Sequence, residues 1–143
     1  MSGTVLYRDC LYLLGGLKED STASNELYSL DFQTWEWALV NTFTCEGKSM
    51  PMAGHCVTLH EEELLVFGGS DLASVLYSNL FVYQIPENKW NKVNCELLPR
   101  FCGGMCVAGS KVWLVGGCNL ERRENLGEQE LDLSTLSSKE PLS

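Results

Sequence analysis

A glycine pair closes an apolar run three times in this chain. The runs are Leu11-Tyr12-Leu13-Leu14 before Gly15-Gly16, Leu64-Leu65-Val66-Phe67 before Gly68-Gly69, and Val112-Trp113-Leu114-Val115 before Gly116-Gly117, so the pairs recur 53 and then 48 residues apart. The shift of 53 also sets Leu27 on Leu80, Tyr28 on Phe81 and Trp37 on Trp90. Upstream of the pairs, residues 55–59 lie over 105–109 at a shift of 50, which falls to 48 if the second turn is shorter. Ordered matches at one period signal duplication, and a period of about 20 to 50 residues means stacked similar units.

Each unit reads as four short strands. Strand one covers 4–7, 56–59 and 106–108; strand two is the run before each glycine pair; strand three covers 27–31 and 80–85; strand four covers 37–40 and 90–93. These segments are rich in β-branched and aromatic residues and end in turn residues. Pro86 is suited to fix the first φ of a turn over 86–89. Strand two is apolar without alternation, as expected of a sheet covered on both faces. Residues 129–133 echo strand three in the last unit, with no following Trp; 120–126 allow a short helix, and a disordered end is expected over 137–143.

The Gly-Gly after an apolar run, the aromatic third strand and the later Trp resemble the kelch repeat, whose period is also about 50 residues. The first unit shows it in Gly15-Gly16, Tyr28, Asp31, Thr34 and Trp35/Trp37, and the second in Gly68-Gly69, Phe81, Tyr83 and Trp90. Members of that family often carry Arg and His before strand one. Here 52–55 keep Gly54 and His55 with Met in the Arg position, whereas Pro99-Arg100 keep the Arg and Met105 replaces the His. The resemblance implies an all-β fold, a β-propeller fragment of four-stranded kelch-type blades in an incomplete ring. It divides the chain into repeats at 1–52, 53–98 and a divergent, incomplete 99–136. Trp37 and Trp90 are expected to bury between neighbouring blades, and Gly15, Gly16, Gly68, Gly69, Gly116 and Gly117 to form tight strand exits. A closed propeller takes about four to eight blades, so a fragment or truncated product of a longer protein is expected. Association of two chains through open blade edges is the alternative.

Composition narrows the function. A net charge of −9, with no basic cluster larger than Arg122-Arg123, argues against nucleic acid, whose binding rests on basic groups displacing counterions. No stretch reaches the roughly 18 to 20 apolar residues of a membrane span, and Arg8-Asp9 interrupt the only candidate signal segment. Seven cysteines cannot all pair within one chain; Cys10, Cys56, Cys106 and Cys118 read as reduced strand residues, which places the protein in the cytoplasm or nucleus.

The only histidines are His55, with a structural hydrogen-bonding role, and His60 in an acidic turn. Cys102 and Cys106 lack a second ligand pair for zinc, and the glycine pairs lack the further residues of a phosphate loop. No catalytic residue, metal or cofactor is expected. Loops on a rigid scaffold are where function concentrates. In kelch-like propellers the loops after strands two and four share one face, which commonly grips a protein partner. The contacts expected there are Lys18, Glu19, Asp20, Asp71, Arg100, Arg122 and Arg123. Non-catalytic binding of a peptide or folded domain follows, with substrate recognition in a larger assembly such as a ubiquitin-ligase adaptor as the finer analogy. The rivals are a kelch-like enzyme acting on sugars and a thiol sensor using Cys45, Cys95 or Cys102.

Overall fold

The computed structural model describes residues 1–119, 124–137 and 139–142. Its strands are β1 Gly3–Tyr7, β2 Cys10–Leu14, β3 Glu26–Asp31, β4 Glu36–Thr42, β5 Thr44–Cys45, β6 Lys48–Ser49, β7 Ala53–His60, β8 Glu63–Ser70, β9 Leu80–Gln84, β10 Lys89–Val93, β11 Gly104–Ala108, β12 Lys111–Val115, β13 Cys118–Asn119, β14 Glu124–Asn125, β15 Gln129–Asp132 and β16 Glu140–Pro141. A five-residue 3₁₀ turn spans Leu133–Ser137. Among the described residues every strand pairing is antiparallel.

Blade 1 is the meander β1-β2-β3-β4, blade 2 is β7-β8-β9-β10 with β16 added outside β10, and blade 3 is β11-β12-β15. This is the stacked-blade arrangement that the resemblance implies, and among the described residues its sheets form no closed ring. Its core lies between blades. Val5, Leu14 and Leu27 of blade 1 meet Leu64, Val66, Phe81, Tyr83 and Trp90 of blade 2, with Phe43 and Met52 of the connecting segment. The alternate residues Leu65, Phe67, Leu80, Val82 and Val93 meet Val112, Leu114 and Leu136 of the third unit. Side chains of a strand alternate between faces, so the unbroken apolar run of β8 supplies both interfaces. Each fully buried large apolar side chain contributes about 1.5–3 kcal/mol.

The glycine pairs weld the blades together. Gly68 and Gly69 have φ of 75° and 76°, a region that side-chain-bearing residues rarely occupy. Gly69 N–H donates to the Arg100 carbonyl at 2.9 Å, and a Cβ on Gly68 would sit 2.4 Å from that oxygen. One blade earlier, Gly16 N–H donates to the Met52 carbonyl at 2.8 Å. A ladder of this kind tolerates only glycine at the point of closest approach.

Several expectations need correction. The hairpins β7-β8 and β11-β12 both turn on two residues, since His60 faces Glu63 and Ala108 faces Lys111. The shift is therefore 48 throughout, and Cys56 corresponds to Gly104 rather than to Cys106. Cys106 consequently points to the open side of blade 3 and is exposed, not core. Trp37 is 53% exposed, against 6% for Trp90: Trp90 faces blade 1, whereas Trp37 faces a side that no sheet covers among the described residues. The end of the chain, expected to be disordered, returns as β16 to the outer edge of β10. Of the helix allowed over 120–126, residues 120–123 lie outside the described residues, and Glu124–Asn125 form a strand pairing with β13.

Candidate functional site

The connections after strands two and four of blades 1 and 2 emerge at the glycine-pair edge of the sheets. Two short bridges close the first of them, Leu17 to Ala23 and Ser24 to Met52, and Ser70 to Leu76 closes the second. These loops hold their shape by internal hydrogen bonds. The Asp20 carboxylate accepts from the Thr22 hydroxyl at 2.6 Å and the Thr22 amide at 3.0 Å; those bonds hold its pKa below the usual carboxylate range. Asp71 accepts from the amides of Ala73, Ser74 and Val75 at 2.9, 2.9 and 2.8 Å. Burial pushes that carboxyl up, but the three amides together outweigh it and the net shift is downward. Such Asx turns use the carboxylate on the loop's own backbone. Tyr77 fixes the base of the second loop by donating to the Pro51 carbonyl at 2.8 Å; burial pushes its phenol up to about 12.

Asp20 and Asp71 are thus loop-shaping residues, while Lys18 and Glu19 lie exposed on the first loop. Arg100 is no surface contact. It is fully buried between blades 2 and 3. Its guanidinium donates to the Gly116 carbonyl at 2.8 Å, the Gly127 carbonyl at 3.1 Å and Gln129 Oε1 at 2.7 Å. A buried charge must be held by converging acceptors, and here three blade-3 oxygens do so, which makes Arg100 a latch. Arg122 and Arg123 lie outside the described residues.

Charge alone points to the polar loop residues and passes over the apolar ones. Leu17, Leu72, Val75 and Leu98 are all exposed on these connections. For Leu72 and Val75 a signal was present, an aspartate whose carboxylate takes the next amides and turns the apolar side chains of that loop outward; Leu17 and Leu98 follow no such aspartate. Leu72 itself has a φ of 65°, which fixes its direction at some conformational cost. A second exposed apolar area lies on the outer face of blade 1, where Leu6, Trp37 and Leu39 project.

His55 is buried against blade 1, and neither ring nitrogen meets hydrogen-bond geometry with a partner. Burial pushes its pKa down to about 4; the Leu14 backbone opposes this and the chain's N-terminal amine adds slightly to it. The His55 ring packs against Gly3 and Gly15 of blade 1, without the hydrogen bond of good geometry that was expected. Burial pushes the thiols of Cys56 and Cys95 up, away from the thiolate that a sensor needs. Among the described residues, no group of three or more His, Cys, Asp or Glu is arranged to hold a metal ion. No helix among them is long and apolar enough to cross a membrane.

Comparison with known proteins agrees with this architecture. Residues 2–141 match the family model described as the KLHDC2/KLHL20/DRC7 Kelch-repeats domain. Kelch-like protein 38 of Mus musculus is 26% identical over 113 residues, covering 78% of this chain and 18% of that protein. Tip elongation aberrant protein 3 of Schizosaccharomyces pombe is 30% identical over 115 residues, covering 75% of this chain and 10% of its own length. Kelch repeat and BTB domain-containing protein 1 of cowpox virus is 24% identical over 142 residues, covering 95% of this chain and 24% of the viral protein. The chain therefore spans a quarter or less of the length of these relatives.

Proposed function

The chain belongs to the kelch-repeat family, a family of protein-interaction modules, and from that premise we propose that it binds a protein partner through its loop face without catalysing a reaction. One observation carries the reading. Leu17 stands exposed next to Lys18 and Glu19 on the first loop, and Leu72 and Val75 stand exposed on the second, while Asp20 and Asp71 are bonded within their own loops. Apolar side chains held outward by rigid loops, with charges at the rim, are the anatomy of a protein contact. The finer reading is that this face recognises a substrate for a larger assembly such as a ubiquitin-ligase adaptor; the kelch-and-BTB composition in the cowpox relative's name supports it.

The test compares the chain with Leu72→Asp/Val75→Asp as baits, each checked for an unchanged melting temperature. A stoichiometric partner lost by the double variant supports the loop face. Retention of every partner overturns it, and turnover of a sugar by the purified chain would overturn the non-catalytic reading altogether. The bare outer face of blade 1 favours a second, separate contact: stacking of another copy against Leu6, Trp37 and Leu39.

A further inference from the structure

We propose that the outer edge of β10 is a docking groove for an extended acidic-Pro-Leu segment from another protein, and that the chain's own Glu140-Pro141-Leu142 occupies it as an internal stand-in. The fourth strand of a blade is its outermost, and its free edge presents unpaired amides and carbonyls that template a further strand. In blade 1 that edge, on β4, has no strand against it among the described residues. In blade 2 the tail adds antiparallel to β10, with Pro141 opposite Asn91 and Glu140 opposite Lys92. Leu142 N–H donates to the Trp90 carbonyl at 3.1 Å, and the Leu142 side chain packs against the apolar cluster that contains Trp90.

Side chains read the segment as well as the backbone. Lys92 Nζ lies 3.9 Å from one Glu140 oxygen, and Asn94 Nδ2 donates to the other at 3.3 Å. Upstream, Lys139 pairs with Glu63. Blade 1 has Leu39 at the position of Lys92 and so lacks the charge that selects an acidic residue. Beyond Leu142 a cleft of about 470 Å³ continues between blades 1 and 2, lined by Asn41, Thr42, Asn88, Trp90 and Asn91.

The tail fills this seat incompletely. Among the described residues it meets Trp90, Asn91 and Lys92 of a five-residue strand, and Pro141 brings no N–H to the ladder. Its ion pair is largely exposed, and such pairs contribute little. An extended segment long enough to pair along Lys89–Val93 competes with the tail for this edge.

The probe is a synthetic peptide of residues 139–142, labelled at its N-terminus, titrated by fluorescence anisotropy into the full chain and into full-length Leu142→Asp. A tethered tail competes at an effective concentration on the order of millimolar. Freeing the seat should therefore tighten peptide binding by about tenfold or more, and a peptide carrying the same Leu-to-Asp change should not bind. Glu140→Lys provides a second route that leaves Leu142 in place. In that background the original peptide binds. In the Leu142→Asp background, Lys92→Glu weakens its binding, and a peptide with Lys in place of Glu recovers it. Equal binding to the unaltered and tail-released chains, binding that ignores the leucine, or binding that ignores the charge exchange would each overturn the proposal.

Discussion

Trp37 and Trp90 occupy one position in consecutive blades, yet one is 53% exposed and the other 6%. Trp90 lies on the face of blade 2 that meets blade 1, with its ring 4.5 Å from Phe43 and 5.0 Å from Tyr83. Trp37 has the same strand position and no facing sheet. The contrast extends to whole blades. β8 and β9 of blade 2 are buried almost throughout, whereas β4 of blade 1 is largely exposed and β11 of blade 3 alternates between partly buried and exposed. A repeat therefore has no burial of its own; its neighbours supply it. This is the quasi-one-dimensional logic of repeat proteins, in which stability sums over interfaces.

Cutting Trp90 back to alanine is the largest way to break the comparison. It should cost about 3–5 kcal/mol, as for other buried aromatics, read as a fall in unfolding free energy by urea titration. A loss below about 1 kcal/mol would mean that blades 1 and 2 do not stack as described.

His55 gives the next largest effect. Its folded pKa of about 4 lies below the unfolded value of 6.5, so the folded state binds the proton less well. The contribution is whole above pH 6.5 and is lost as the pH falls from there through about 4. The full loss approaches about 3 kcal/mol at roughly 1.4 kcal/mol per pKa unit. Carboxylates held low, such as Asp71 and Asp132, destabilise the fold only as they protonate near pH 4 and below. The interval from pH 6.5 to 4.5 therefore isolates the histidine. Denaturant titrations there should show a steep loss for the native chain and a flat profile for His55→Gln; parallel profiles would contradict the burial.

Gly68 and Gly116 sharpen the comparison at a smaller scale, because they are the same residue of successive blades. Both have positive φ, 75° and 66°, so alanine at either incurs about 1–2 kcal/mol of left-handed strain. At Gly68 the new Cβ would also strike the Arg100 carbonyl at 2.4 Å, while at Gly116 nothing lies within 4 Å. Gly68→Ala should therefore lower the melting temperature more than Gly116→Ala; the reverse order would disprove the interblade ladder.

These pairs also show what could be read from the residues alone. The repeat period, the strand order and the buried character of β8 were all legible, because glycine pairs and apolar runs are local signals. Burial of Trp37 was not, since it depends on whether another sheet stands opposite, and a repeat motif says nothing of its neighbour. Arg100 was misread for a related reason: a lone arginine near a proline looks like a loop charge until three carbonyl-type acceptors from the next blade converge on it. The two-residue correction at Cys106 was hidden because an apolar match at a shift of 50 outscored the register that the hairpin turns enforce. The loop contacts were sought by charge, and the aspartates turned out to be committed to their own backbones.

The smallest effect tests what the exposed tryptophan is for. Within a single chain, Trp37→Lys removes little packing, so stability should stay within about 0.5 kcal/mol of the parent, as for most surface changes. Self-association should respond differently. If Leu6, Trp37 and Leu39 stack against another copy, a lysine at the centre of that face must either be desolvated or keep the copies apart. Light scattering across a concentration series should then show the parent gaining mass while Trp37→Lys stays monomeric. A parent that remains monomeric at every concentration would leave this face free of a second copy, and the difference between Trp37 and Trp90 would then be one of burial alone.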